Sequence, residues 1–159
     1  MIIIAIDPGS SSGALAIYDS AVGKPKCVHN MPGTYLDIWN YLKPYGQECP
    51  ENVVALMENV GGSRPGNSAK SSHTFAEHVG ALKMALLAAG IPCGLVPPRA
   101  WLTTLFGESY PKGSSSSAVR ARKHFTRDKM QRIYPTIEFT LRQADAVAIM
   151  EYGRRLHRV

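Results

Sequence analysis

The first thirteen residues, Met1-Ile2-Ile3-Ile4-Ala5-Ile6-Asp7-Pro8-Gly9-Ser10-Ser11-Ser12-Gly13, constrain this chain more than any other stretch. Five consecutive apolar residues, four of them isoleucine, read as a strand buried on both faces. Such a strand needs cover on each side of its sheet, which points to an α/β architecture. The run stops at a carboxylate, and Pro8, Gly9 and the serines then supply a turn. No basic segment precedes the run and Asp7 follows it at once, so it reads as a strand and not as a secretion signal.

The remaining pattern extends that reading. Ala14 to Tyr18 and Cys27 to Met31 read as two further strands, and Val53 to Met57 as a fourth that ends at Glu58. Apolar residues at 35, 38, 39 and 42 suit a short helix. Asn59 to Ser72, rich in glycine and serine, reads as a mobile loop. A helix over Thr74 to Ala89 is closed by Gly90, and a fifth strand, Cys93 to Val96, is stopped by Pro97-Pro98. Helices follow at Arg99 to Phe106, Ala118 to Tyr134 and Leu141 to Leu156, with a serine-rich loop over Gly107 to Ser117. The expected fold is α/β, a mixed five-stranded sheet flanked by helices, in one domain over residues 1–159.

Composition excludes several classes. No uncharged apolar window is long enough for a membrane span. The three cysteines, Cys27, Cys49 and Cys93, show no paired spacing, so neither a disulfide framework nor a zinc site is expected, and a cytoplasmic setting is. The charge is unevenly placed. Residues 112–159 carry eleven Lys/Arg against four Asp/Glu, a net of +7, whereas residues 1–111 are net −1. That asymmetry favours a polyanionic partner such as nucleic acid. On helix 118–134, Arg120, Lys123 and Arg127 recur at helical spacing and share a face, which reads either as a phosphate-binding stripe or as a solvated surface. Arg64, Lys70 and Lys112 stand in the two flexible loops and carry the same two readings.

Three acids fall at element ends. Asp7 closes the first strand, Glu58 closes the fourth, and Asp145 opens the last helix among alanines. A carboxylate in apolar surroundings is costly unless paired or coordinated. Clustered carboxylates without His or Cys suit Mg²⁺ or Mn²⁺. Each acid also has a local reading, as a turn former, an exposed strand end, or a first-turn helix acid.

These residues carry a resemblance. Ile4-Ala5-Ile6-Asp7-Pro8-Gly9 with Gly13 resembles the opening motif of the RuvC group of Holliday-junction resolvases, within the ribonuclease H-like nucleases. Leu56-Met57-Glu58-Asn59-Val60, Gly80-Ala81-Leu82, Val96-Pro97-Pro98-Arg99-Ala100-Trp101 and Ala144-Asp145-Ala146-Val147-Ala148-Ile149 resemble its later motifs in order. The resemblance implies a ribonuclease H-like fold and a homodimer that cuts four-way DNA junctions in recombination and repair. It also implies two Mg²⁺ ions per site, replaceable by Mn²⁺, held by Asp7, Glu58 and Asp145. A phage origin is compatible with a chain this short. The family's fourth ligand falls at Arg142, which cannot bind a metal because it stays protonated and has no acceptor. A three-acid site is the preferred reading, and Glu138 is the alternative candidate to replace the missing ligand. Other ribonuclease H-like activity, on RNA–DNA hybrids or structured RNA, and a non-catalytic junction-binding role are the competing functions.

Overall fold

A computed structural model describes residues 1–48, 50–60, 68–113 and 115–159. Its centre is a five-stranded sheet of order β3-β2-β1-β4-β5. The strands are β1 (Ile2–Asp7), β2 (Ala14–Asp19), β3 (Lys24–Asn30), β4 (Val53–Glu58) and β5 (Cys93–Val96). β1 runs antiparallel to β2, with Ile2 opposite Asp19, and parallel to β4, with Ile6 beside Met57. The sheet is therefore mixed, as expected. β3 starts three residues earlier than the sequence reading, and its register with β2 shifts at a bulge between Ile17 and Tyr18.

The period-two alternation of the strands divides the core. Ile2, Ile4 and Ile6 of β1 and Val53, Ala55 and Met57 of β4 face one side. There α1 (Tyr35–Glu48) and α2 (Ala69–Ala88) cover them through Ile38, Leu42, Leu82 and Leu86. Ile3 and Ala5 of β1 and Leu56 of β4 face the other side. There α3 (Pro98–Phe106), α4 (Ser116–Ile133) and α5 (Ala144–His157) pack. Two-sided cover is what the isoleucine run of β1 requires.

α5 lies close on the sheet because its buried face is small. Ala144, Ala146 and Ala148 are fully buried. A Cβ added at Gly153 would stand 2.6 Å from Leu56 Cδ1 and 3.0 Å from Ile3 Cγ2. At its middle, Glu151 is only 1% exposed. It accepts from Tyr134 Oη (2.6 Å), Arg154 Nε (2.7 Å) and Arg155 Nε (2.7 Å). Two of the cations counted in the basic last third are thus bound to an internal carboxylate.

Helix boundaries depart from the sequence reading at serines and at a proline. α2 begins at Ala69, five residues before the expected Thr74, because the Ser68 hydroxyl accepts from Ser71 N at 3.1 Å. α4 begins at Ser116, capped in the same way by Ser115. α1 continues through Pro44 to Glu48, six residues past the expected end. α5 starts at Ala144 and not at Leu141. Gln143 Oε1 instead accepts from the Thr140 backbone N–H at 2.8 Å, closing a turn ahead of the helix. Among the described residues no helix is long and apolar enough to cross a membrane. Cys27 and Cys93 are free thiols.

Candidate active site

Side-chain parity places two of the three acids. Asp7 follows Ile3 and Ala5 on the α5 side of β1, and Glu58 follows Leu56 on the same side of β4. Both stand at the carboxyl ends of adjacent parallel strands, one residue beyond the Ile6–Met57 pair. In open α/β sheets this edge is where ligand sites form. Asp145, in the first turn of α5, comes to the same place because α5 crosses β1, β2 and β4.

The turn that releases Asp7 from the sheet is tight. Gly13 N donates to Gly9 O at 2.9 Å. A Cβ at Gly13 would lie 2.5 Å from the carbonyl oxygens of Asp7 and Gly9, so only glycine fits there.

Asp7, Glu58 and Asp145 line one cavity of about 430 Å³. Its walls are of two kinds. Arg122 and Lys123 of α4 bring positive charge, and Phe75, Trp101, Leu102, Tyr110 and Val119 bring apolar surface. Burial pushes the Asp145 carboxyl above its ordinary range, and the Lys123 ammonium acts against that shift. Burial also raises the Tyr110 phenol, and the Asp145 charge adds to the rise, so Tyr110 stays a hydrogen-bond donor at neutral pH. The Glu58 carboxylate accepts a hydrogen bond from Trp101 Nε1 at 3.0 Å.

Among the described residues no three His, Cys, Asp or Glu side chains converge on one metal-sized point. The cavity therefore does not offer a single cation three protein carboxylates at once. Three carboxylates with no His or Cys beside them are a donor set whose chemistry suits hard divalent cations such as Mg²⁺, which keeps several waters.

The other residues singled out in the sequence are scattered. Lys123 lines the cavity. Arg120 is exposed on α4 and is not among the lining residues. Arg127 turns its Nε toward Phe139 O, at 3.5 Å. Lys70 is exposed in the first turn of α2 and not in a loop, and Lys112 is exposed in the connection before α4. Arg64 lies outside the described residues. Glu138 is exposed between α4 and α5, away from the cavity lining. Arg142 is exposed in the turn before α5, so it does not share a helical face with Asp145 as the sequence reading assumed.

Two contributors were missed. Arg122 carried a signal, since it adjoins Lys123, but the 120-123-127 periodicity drew attention away from it. Trp101 is 2% exposed and belongs to the core. Its bond to Glu58, 43 residues earlier in the chain, had no sequence signal. None of the five histidines lines the cavity. His78 is buried in α2 and burial holds its pKa down, so it is neutral.

No protein-family profile matches the chain, and no curated protein sequence matches it. Solved structures do. The Thermus thermophilus RuvC structure superposes with a TM-score of 0.58 at 19% identity, covering 94% of this chain and 90% of that one. The T. thermophilus RuvC complex with a Holliday junction substrate gives 0.62 at 17% identity over 94% and 89%. The fowlpox virus Holliday junction resolvase gives 0.58 at 16% identity over the full length of both chains. This chain shares the fold of these RuvC and resolvase structures.

Proposed function

We propose that this chain is a metal-dependent endonuclease that cuts four-way DNA junctions. The observation that carries the reading is the single cavity lined by Asp7, Glu58 and Asp145 and walled by Arg122 and Lys123. Three acids opposite two bases suit a phosphodiester backbone whose charge must be met on one side and whose bond must be attacked from the other. The likeness to resolvases, one of them bound to a junction substrate, supports the same reading.

Asp7, Glu58 and Asp145 would hold the metal, two Mg²⁺ ions or Mn²⁺ in their place. When bound, such a pair supplies an activated water and a charge clamp on the oxygens of the scissile phosphate. Lys123 and Arg122 place fixed positive charge beside that phosphate. The guanidinium of Arg122 is held by Gly113 O at 2.6 Å, so it meets the backbone in a set orientation. Glu138 and Arg142 are not among the residues that line this cavity. A symmetric junction has two equivalent scissile strands, which a two-fold homodimer would meet with two equivalent sites. The exposed Met84 and Leu87 of α2 and Leu95 of β5 support such a partner surface.

The test is cleavage of a synthetic four-way junction in Mg²⁺, run beside a linear duplex and an RNA–DNA hybrid of the same sequence. Selective cutting of the junction, lost in EDTA, is the expected result. Preferred cutting of the hybrid moves the chain to another ribonuclease H-like activity. Binding without cleavage at any Mg²⁺ or Mn²⁺ concentration leaves a junction-binding protein.

Salt dependence separates the basic residues. Each phosphate contact contributes about −0.9 to the slope of log K against log salt on duplex arms. Replacing Arg122 and Lys123 together by alanine should flatten the slope by up to about 2. Replacing Lys24 and Lys26, on the far edge strand β3, should leave it unchanged. Equal slopes for the two variants, measured by fluorescence anisotropy, would remove the α4 pair from the DNA interface.

A further inference from the structure

We infer that Trp101 is a positioning residue, whose indole N–H holds the Glu58 carboxylate in the orientation in which it receives a divalent cation. The inference rests on the metal-site reading above. It begins with local sequence. β5 stops at Val96, and Pro97 and Pro98 start α3 at once, with Pro98 in its first turn. One turn later Trp101 is carried back toward the end of β4, where Asn59 N donates to Val96 O at 2.8 Å and fixes the two strand ends together.

The ring has little freedom there. Trp101 packs edge-on against Phe106, with centroids 6.2 Å apart and planes at 78°. Phe106 is held in turn by Phe125, at 5.4 Å and 85°, and stacks on Tyr110 at 5.6 Å and 8°. A buried indole N–H needs an acceptor. The acceptor here is an ionisable carboxylate at the cavity, and the 3.0 Å bond is charge-assisted when Glu58 is ionised. A rigid aromatic wall thus fixes one oxygen of a flexible side chain. Partners of this kind orient metal ligands before the ion arrives, and their loss typically weakens metal affinity about 10- to 100-fold.

The experiment is direct Mn²⁺ binding to the DNA-free protein by isothermal calorimetry, with Trp101→Phe and Phe106→Leu beside wild type. Trp101→Phe keeps a ring and removes the donor, and Phe106→Leu loosens the ring packing and keeps the donor. Circular dichroism checks that each variant is folded. The expected result is an apparent Kd raised about 10- to 100-fold in Trp101→Phe and raised clearly less in Phe106→Leu, which keeps the donor. Equal Kd values for wild type and a folded Trp101→Phe overturn the inference and leave the metal site standing. Equal weakening in both variants assigns the effect to packing and overturns it too. Wild-type protein that binds no Mn²⁺ refutes the metal-site reading, and the inference with it. Should Trp101→Phe not fold, Trp39→Phe leaves Trp101 as the one indole in the chain. Its emission should then shift saturably with Mg²⁺, and a flat response at saturating metal overturns the inference.

Discussion

Asp7→Asn should reduce junction cleavage by on the order of 10³-fold or more, equivalent to about 4 kcal/mol of transition-state stabilisation. The substitution keeps the size and shape of the side chain and removes its charge. Asp7 ends the central strand of the sheet and stands with Glu58 and Asp145 on one cavity, so under the proposed function it would be a metal ligand. Junction affinity should be retained or should rise, because one negative charge is withdrawn from beside the phosphates while Arg122 and Lys123 remain. Single-turnover cleavage and anisotropy titration in Ca²⁺ measure the two effects separately. Cleavage within about tenfold of wild type would rule out Asp7 as a metal ligand of the reaction.

Glu151→Ala should destabilise the fold by about 3 kcal/mol, or lower the melting temperature by roughly 6–12 °C. Exposed ion pairs contribute little, but Glu151 is 1% exposed and is the common acceptor for Tyr134, Arg154 and Arg155. Removing it leaves the largely buried Tyr134 hydroxyl without its acceptor and two guanidinium groups without their anion. The sign of the pH dependence follows from the carboxylate. Burial acts to raise its pKa, and the bonds from Arg154, Tyr134 and Arg155 outweigh burial and hold it below the ordinary value of 4.5. A depressed folded-state pKa gives stability that is fully present above 4.5 and is lost as pH falls through the folded value. Wild type should therefore lose stability in that acid window, and Glu151→Gln, which cannot ionise, should lose less there. Urea denaturation at neutral pH and across the acid range measures both. A Glu151→Ala protein that melts within about 2 °C of wild type would show that the network contributes nothing net.

The two networks on α5 act at its start and at its middle. Asp145 in the first turn belongs to the cavity, and Glu151 at mid-helix ties Arg154 and Arg155 of the last turn to the core. The excess of positive charge in the last third of the chain is consequently less available than its count suggests. Arg154 and Arg155 are bound internally, and Arg127 is turned toward the α4–α5 connection. Arg122 and Lys123 are what reach the acids.

Strand alternation is a local property, and the sequence alone carries it. The isoleucine run specified a strand covered on both faces, and the same parity put Asp7 with Ile3 and Ala5, and Glu58 with Leu56. The two carboxylates were thus legible as neighbours once β1 and β4 were read as strands of one sheet. The alanines around Asp145 foretold a helix seated close on that sheet, since only small side chains allow that approach. Serine caps and the Thr140–Gln143 turn were not legible, because a serine hydroxyl or glutamine amide in the sequence does not declare which backbone N–H it will accept. The misplaced start of α5 followed from this, and with it the expectation that Arg142 faced the site. The bond from Trp101 to Glu58, and the choice of Arg122 and Lys123 over Arg120 and Arg127, were decided by tertiary structure alone. They depend on how α3 and α4 cross the sheet, and that crossing is set by the summed packing of side chains distant in sequence, which no local spacing encodes.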